Sequence, residues 1–181
     1  MTAVRSQTET EDHAPSRGER SVLFDLAGID MGAVVASRAE IGEMNRHRHE
    51  MALLDRVVWV DDDLTRGVAA WDVRPDEFWV RGHFPDRAML PGVLMVEAGA
   101  QLGCYMYNKH HGASQLAAFL RIEDAVFRRS VEPGQTLLVL CKGVKRSGRR
   151  FISDIQGVCG GHVTFQARIH GMKLDGRRGQ A

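Results

Sequence analysis

From residue 135 onward the chain alternates apolar and polar positions in three successive runs, each closed by a glycine-rich turn. Pro133-Gly134 introduces a strand predicted from Gln135 to Lys145, and Ser147-Gly148 punctuates it. A second strand runs from Arg150 to about Cys159, and Gly160-Gly161 turns into a third. There Val163, Phe165, Ala167 and Ile169 alternate with His162, Thr164, Gln166, Arg168 and His170. A period of two with one apolar face predicts an antiparallel sheet, one side on a core and the other wet. An earlier strand-like pair, Arg56–Val60 and Leu64–Val73, flanks Asp61-Asp62-Asp63. Those aspartates lack the glycine and distal glutamate of a calcium loop and read as a solvated hairpin turn.

One segment breaks the rhythm. Val93 to Tyr107 is too long for a strand, follows Pro91-Gly92, and is apolar almost all round. Proline suits a helix start because its missing N–H would be unpaired there. A helix apolar on all sides is buried, and its glycines and alanines admit close approach of a sheet. One buried helix among many antiparallel strands predicts an α+β fold in which the sheet wraps the helix.

Composition narrows the function classes. Among 181 residues, 24 Lys and Arg against 23 Asp and Glu give a net charge of +1, without the basic excess of a nucleic-acid binder. No run is long enough to span a membrane, and the N-terminus lacks the apolar core of a secretory leader. Its acidic residues Glu9, Glu11 and Asp12 also count against an organellar leader, so a cytoplasmic location is expected. Cys104, Cys141 and Cys159 are scattered, which fits a reducing compartment and offers no zinc site. His47-x-His49 and His110-His111 lack the further ligands a metal centre needs. Residues 1–20 and 175–181 are polar and read as disordered tails around a single domain, 21–174.

The chemistry is concentrated around the helix. Glu97 and Gln101, at i and i+4, share a face, and a carboxylate on an apolar helix is costly unless paired. Such a group is a candidate acid or base, with a capping or interfacial role as the alternative. Just before the helix, Arg81 to Gly92 supplies His83 in a Gly/Pro-rich loop. Backbone N–H groups at Gly92 would point outward with the positive end of the helix dipole, unobstructed by a side chain. A base, an acid and an oxyanion donor so close together suit proton abstraction next to a carbonyl.

Gly82-His83-Phe84-Pro85, Leu90-Pro91-Gly92-Val93-Leu94, Val96-Glu97-Ala98 and Ala100-Gln101 resemble the signature of FabZ-type 3-hydroxyacyl-acyl-carrier-protein dehydratases. His47-Arg48 with Leu53-Leu54-Asp55-Arg56-Val57 resembles the family's N-terminal segment. Phe127-Arg128-Arg129 with Val131 and Pro133-Gly134 resembles the strand and turn after the helix. The likeness runs from about Ile41 to Gly171 and implies a hotdog fold, a homodimer and, in this family, often a trimer of dimers. It implies that His83 of one chain faces Glu97 of the other. Gly92 matches the glycine whose N–H polarises the thioester carbonyl, and Phe84, Pro91, Val93 and Phe119 would line the substrate tunnel. The implied reaction removes water from a 3-hydroxyacyl thioester on acyl carrier protein, giving the trans-2-enoyl product in fatty acid biosynthesis, with no metal or cofactor.

The chain departs from the family at Asp86, Ala88, His49-Glu50 and Ser130-Val131, and at Ala118, where an aromatic residue is common before Phe119. These departures bear on chain length more than on chemistry. Sister FabA-type enzymes, which also isomerise, carry Asp at the position of Glu97, so dehydration alone is expected. The basic run Lys142–Arg150, or Arg128 and Arg129, could steer an acidic carrier protein. A hotdog thioesterase and a non-catalytic carrier-binding module are the rival readings.

Overall fold

The structure, a computed structural model, describes residues 21–174, so the predicted tails at 1–20 and 175–181 lie outside the described residues. A short strand β1 (Ala36–Ser37) leads into helix α1 (Arg38–Met44) and a 3-10 turn (His49–Met51). The hairpin β2 (Arg56–Val60) and β3 (Arg66–Asp72) precedes helix α2 (Gly92–His111). Strands β4 (Ala117–Phe127), β5 (Thr136–Arg146), β6 (Arg150–Cys159) and β7 (His162–Lys173) complete the chain.

All strand pairs are antiparallel, in one seven-stranded sheet ordered β1-β2-β3-β5-β6-β7-β4. The meander predicted from period two is therefore β5–β7. Strand β4, of which only the end at Phe127 stood out in the sequence, crosses over to the far edge beside β7.

Helix α2 starts at Pro91 and ends where Gly112 adopts a left-handed conformation, φ 62°, its N–H closing on the carbonyls of Asn108 and Lys109. Lys109, His110 and His111 in the last turn complement the negative end of its dipole. The helix packs on the sheet's inner face through its small residues. A Cβ at Gly99 would lie 2.6 Å from Ile155 Cδ1, so any side chain there would push β6 away. Inward-facing Val57, Ala69, Trp71, Val139, Phe165 and Ile169 join Ala98, Leu102 and Tyr105 in the core.

The outer face corrects the expectation of a wet side. Outward-pointing Val58, Val68, Ala70, Leu140 and Val158 form a second apolar cluster under Val22, Leu23, Phe24, Leu26, Ile29 and Met31. Exposed to water these five side chains would be costly, and the preceding segment covers them. Leu23 N–H donates to Gln156 Oε1 at 2.8 Å, and the Arg66 guanidinium lies 6.0 Å from the Phe24 ring and 5.6 Å from that of Trp59. Deleting residues 1–31 should lower the melting midpoint by at least about 5 °C, because each half-buried apolar side chain contributes about 1 kcal/mol. An unchanged midpoint in calorimetry would mean that this strap contributes nothing to stability.

Candidate active site

Gln101 organises the site. Its side chain is 2% exposed and makes three hydrogen bonds. Oε1 accepts from Leu53 N–H at 3.1 Å, while Nε2 donates to Met51 O at 2.7 Å and to Glu97 Oε1 at 2.9 Å. Asn45 Nδ2 donates to the Gln101 carbonyl at 2.8 Å. Together these bonds fasten the 45–53 segment onto α2 and deliver His47, whose Nε2 lies 3.2 Å from Glu97 Oε1. One carboxylate oxygen is thus held between an amide and an imidazole. Glu97 Oε2 has no hydrogen-bond partner among the described residues.

Glu97, Ala100 and Cys104, at i, i+3 and i+7, line a cavity of about 50 Å³ with His47, Phe119 and Phe151. Burial, then the nearby Glu97 carboxylate, pushes the Cys104 thiol up to about 12. At pH 8 almost none of it is thiolate, the reactive form. Iodoacetamide at that pH should leave Cys104 unmodified by mass spectrometry over an hour; ready alkylation would mean an open, polar pocket.

His83 sits in the loop before α2. Its N–H donates to Trp79 O at 2.9 Å, and Met89 N–H donates back to His83 O at 2.9 Å. The ring stacks on Phe84, centroids 4.1 Å apart, and Nδ1 lies 2.7 Å from Met89 O. A carbonyl only accepts, so Nδ1 carries the proton and the neutral ring keeps its lone pair on Nε2. That is the tautomer a base requires.

At the helix start, Leu94 and Met95 N–H both donate to Pro91 O, leaving the Gly92 and Val93 N–H groups without partners among the described residues. The space beside Gly92 is not open, as a reading of the glycine alone would have it. The Phe127 ring fills it, and a Cβ at Gly92 would lie 2.7 Å from Phe127 Cε1.

The predicted residues therefore fall into two groups within one chain. Glu97 and Phe119 share the cavity; His83 and Gly92 lie at the loop and helix start outside it. Phe84 and Val93 are 49% and 72% exposed, and neither they nor Pro91 line the cavity. His47, Ala100, Cys104 and Phe151 were not anticipated as site residues. For His47 the segment's likeness to the family is a signal, but in the sequence it stands out only as half of a sparse His-x-His pair. No cluster of three or more metal-ligating side chains occurs among the described residues, and none of their helices is long and apolar enough to cross a membrane.

The FabA-like domain family matches residues 45–168, a span that contains α2 and both halves of the site. The chain belongs to the FabA-like domain family. It is 29% identical over 170 residues to the 3-hydroxyacyl-[acyl-carrier-protein] dehydratase FabZ of Granulibacter bethesdensis, covering 90% of this chain and 92% of that one. To the FabZ of Bacillus thuringiensis (strain Al Hakam) it is 33% identical over 133 residues, covering 70% and 92%. Among solved structures, the dehydratase heterocomplex ApeI:P from Xenorhabdus doucetiae superposes with a TM-score of 0.66 at 18% identity, covering 75% of this chain and 91% of that one. At that identity the likeness speaks for the fold, which is the α+β hotdog fold of the FabA-like family. The strap, residues 22–31, precedes the family match.

Proposed function

We propose that the hotdog domain of residues 21–174 dehydrates 3-hydroxyacyl thioesters to trans-2-enoyl thioesters, as the names of its FabZ relatives suggest. The observation that carries this reading is Glu97, held through Oε1 by Gln101 and His47 while the residue lines a narrow, mainly apolar cavity.

His83 Nε2 takes the α-proton, and the C–H electron pair moves onto the thioester as an enolate. The Gly92 and Val93 N–H groups stabilise the negative charge on the carbonyl oxygen. Protonated Glu97 gives its proton from Oε2 to the β-hydroxyl. As the C–O bond breaks, water leaves and the enolate electrons form the double bond. Proton return from His83 to Glu97 through solvent resets the site, and no step calls for a metal or cofactor.

The separation of His83 from the Glu97 cavity within one chain supports a site completed by a second copy. Strand β4 is an unpaired sheet edge bearing exposed Phe119, Leu120, Ile122, Val126 and Phe127, the kind of surface that needs a partner. A homodimer, able to assemble further into a hexamer, covers it. The thioester arrives on acyl carrier protein, steered by the exposed Arg128 and Arg129 that follow Phe127 beside the helix start. The same relatives support a place for the product in fatty acid synthesis in the cytoplasm. Incubation with 3-hydroxybutanoyl thioesters should produce the absorbance of a conjugated enoyl thioester without free thiol. Thiol release without enoyl absorbance would make the protein a thioesterase; neither signal would leave a binding module.

A further inference from the structure

One side chain of the cavity bears on the length of acyl chain it accepts. Phe151 on β6 is 6% exposed and lies directly opposite Gly171 on β7. A Cβ at Gly171 would fall 2.2 Å from Phe151 Cζ, so the ring lies flat across a strand position that any larger residue would deny it. Its other neighbours are on α2. Tyr107 packs with ring centroids 5.0 Å apart, and Tyr107 Oη is pinned by donating to Gly148 O at 3.0 Å. A Cβ at Gly103 would stand 3.5 Å from Phe151 Cε2.

The ring ends the helix stripe that begins at Glu97. Passing from Glu97 along Ala100 and Cys104, a ligand tail would next reach the Tyr107–Phe151 pair. The space does not end there. Phe151 also borders a second cavity of about 130 Å³, lined by Gly103, Met106, Tyr107 and Cys141 and, where it opens to the surface, by Lys145 and Arg146, more than twice the 50 Å³ at Glu97. Phe151 lines both, so its ring is the side chain the two cavities share. The near space holds roughly four water-sized groups, which suits a short aliphatic tail.

We propose that Phe151 is the chain-length stop of this site, restricting it to short-chain 3-hydroxyacyl thioesters, and that removing the ring joins the two cavities into a longer tunnel. This specificity rests on the dehydratase reading, but the steric stop does not. The test therefore has a catalytic and a binding arm, both on the full chain. The catalytic arm measures kcat/KM on 3-hydroxyacyl thioesters of four to ten carbons. The binding arm titrates non-reactive S-(2-oxoalkyl)pantetheine thioethers of matching chain lengths by calorimetry.

The wild type should lose at least about tenfold in both arms between four and ten carbons, and Phe151→Ala should recover about tenfold on the ten-carbon ligand. Phe151→Leu, a milder change should the alanine variant fail to fold, should shift the preference part-way. A wild type that favours ten carbons, or a folded variant with an unshifted length profile, overturns the proposal. A shifted binding profile without turnover in the wild type would uphold the steric stop and bring down the dehydratase reading instead.

Discussion

Glu97→Gln should cut dehydration by about a hundredfold or more while leaving thioester affinity and the melting midpoint nearly unchanged. The glutamine has the volume of the glutamate, and its Oε1 can still accept from Gln101 Nε2, the 2.9 Å bond that ties the residue to the 45–53 segment. What disappears is the proton on the second oxygen, the one that would leave with the hydroxyl. The loss should therefore appear in kcat and not in KM, which marks an interaction made in the transition state. Glu97→Ala, by contrast, would leave the Gln101 amide and His47 facing an empty space, mixing structural cost with catalytic loss. Near-wild-type turnover by Glu97→Gln would reduce Glu97 to a structural anchor for Gln101.

Gly92→Val should cost about 3 kcal/mol of transition-state stabilisation, on the scale of one lost oxyanion-hole donor. The two amides at the helix start are the unpaired donors, and no Lys or Arg lies between Arg87 and Lys109 to replace them. The added side chain would first meet the Phe127 ring, 2.7 Å from its Cβ. That ring is 48% exposed in the single chain but belongs to the β4 face assigned to the dimer contact, so native mass must show the variant still folded and dimeric. The double variant Gly92→Val with Phe127→Ala separates the two effects. If obstruction of the amides is the cause, removing the ring leaves turnover low. Full recovery in the double variant would show that the glycine is needed only to seat Phe127.

Much of the fold is legible in the sequence. The buried helix read from Val93 to Tyr107 is the core of α2, the first two runs are β5 and β6 within a residue, and the third is β7, which continues three residues past His170 to Lys173. Glu97, His83 and Gly92 stood out because all lie within one contiguous stretch of unusual composition. His47 did not, being fifty positions from Glu97 on a segment without periodicity; only the hydrogen bonds of Asn45 and Gln101 carry it there. Strand β4 was hard to read because neither of its faces is buried within the chain, so its sequence shows no alternation. The strap was missed for a related reason. Val22, Leu23, Phe24, Leu26, Ile29 and Met31 follow no helical or strand period, and their purpose shows only against Val58, Val68, Ala70, Leu140 and Val158. Phe151 looked like any inward residue of an alternating strand until Gly171 proved to be its opposite number.

The central claim, that two copies share each site, is tested by mixing two inactive variants. His83→Ala and Glu97→Gln are purified separately, then combined in equal amounts under conditions where subunit exchange is verified by mass. Half of the dimers are then hybrids, and in each hybrid one site pairs the intact His83 of one chain with the intact Glu97 of the other. Enoyl thioester formation should return to about a quarter of the wild-type rate, as two-fold symmetry requires. No recovery after verified exchange would mean that each chain must supply both residues itself, and the shared site would be wrong.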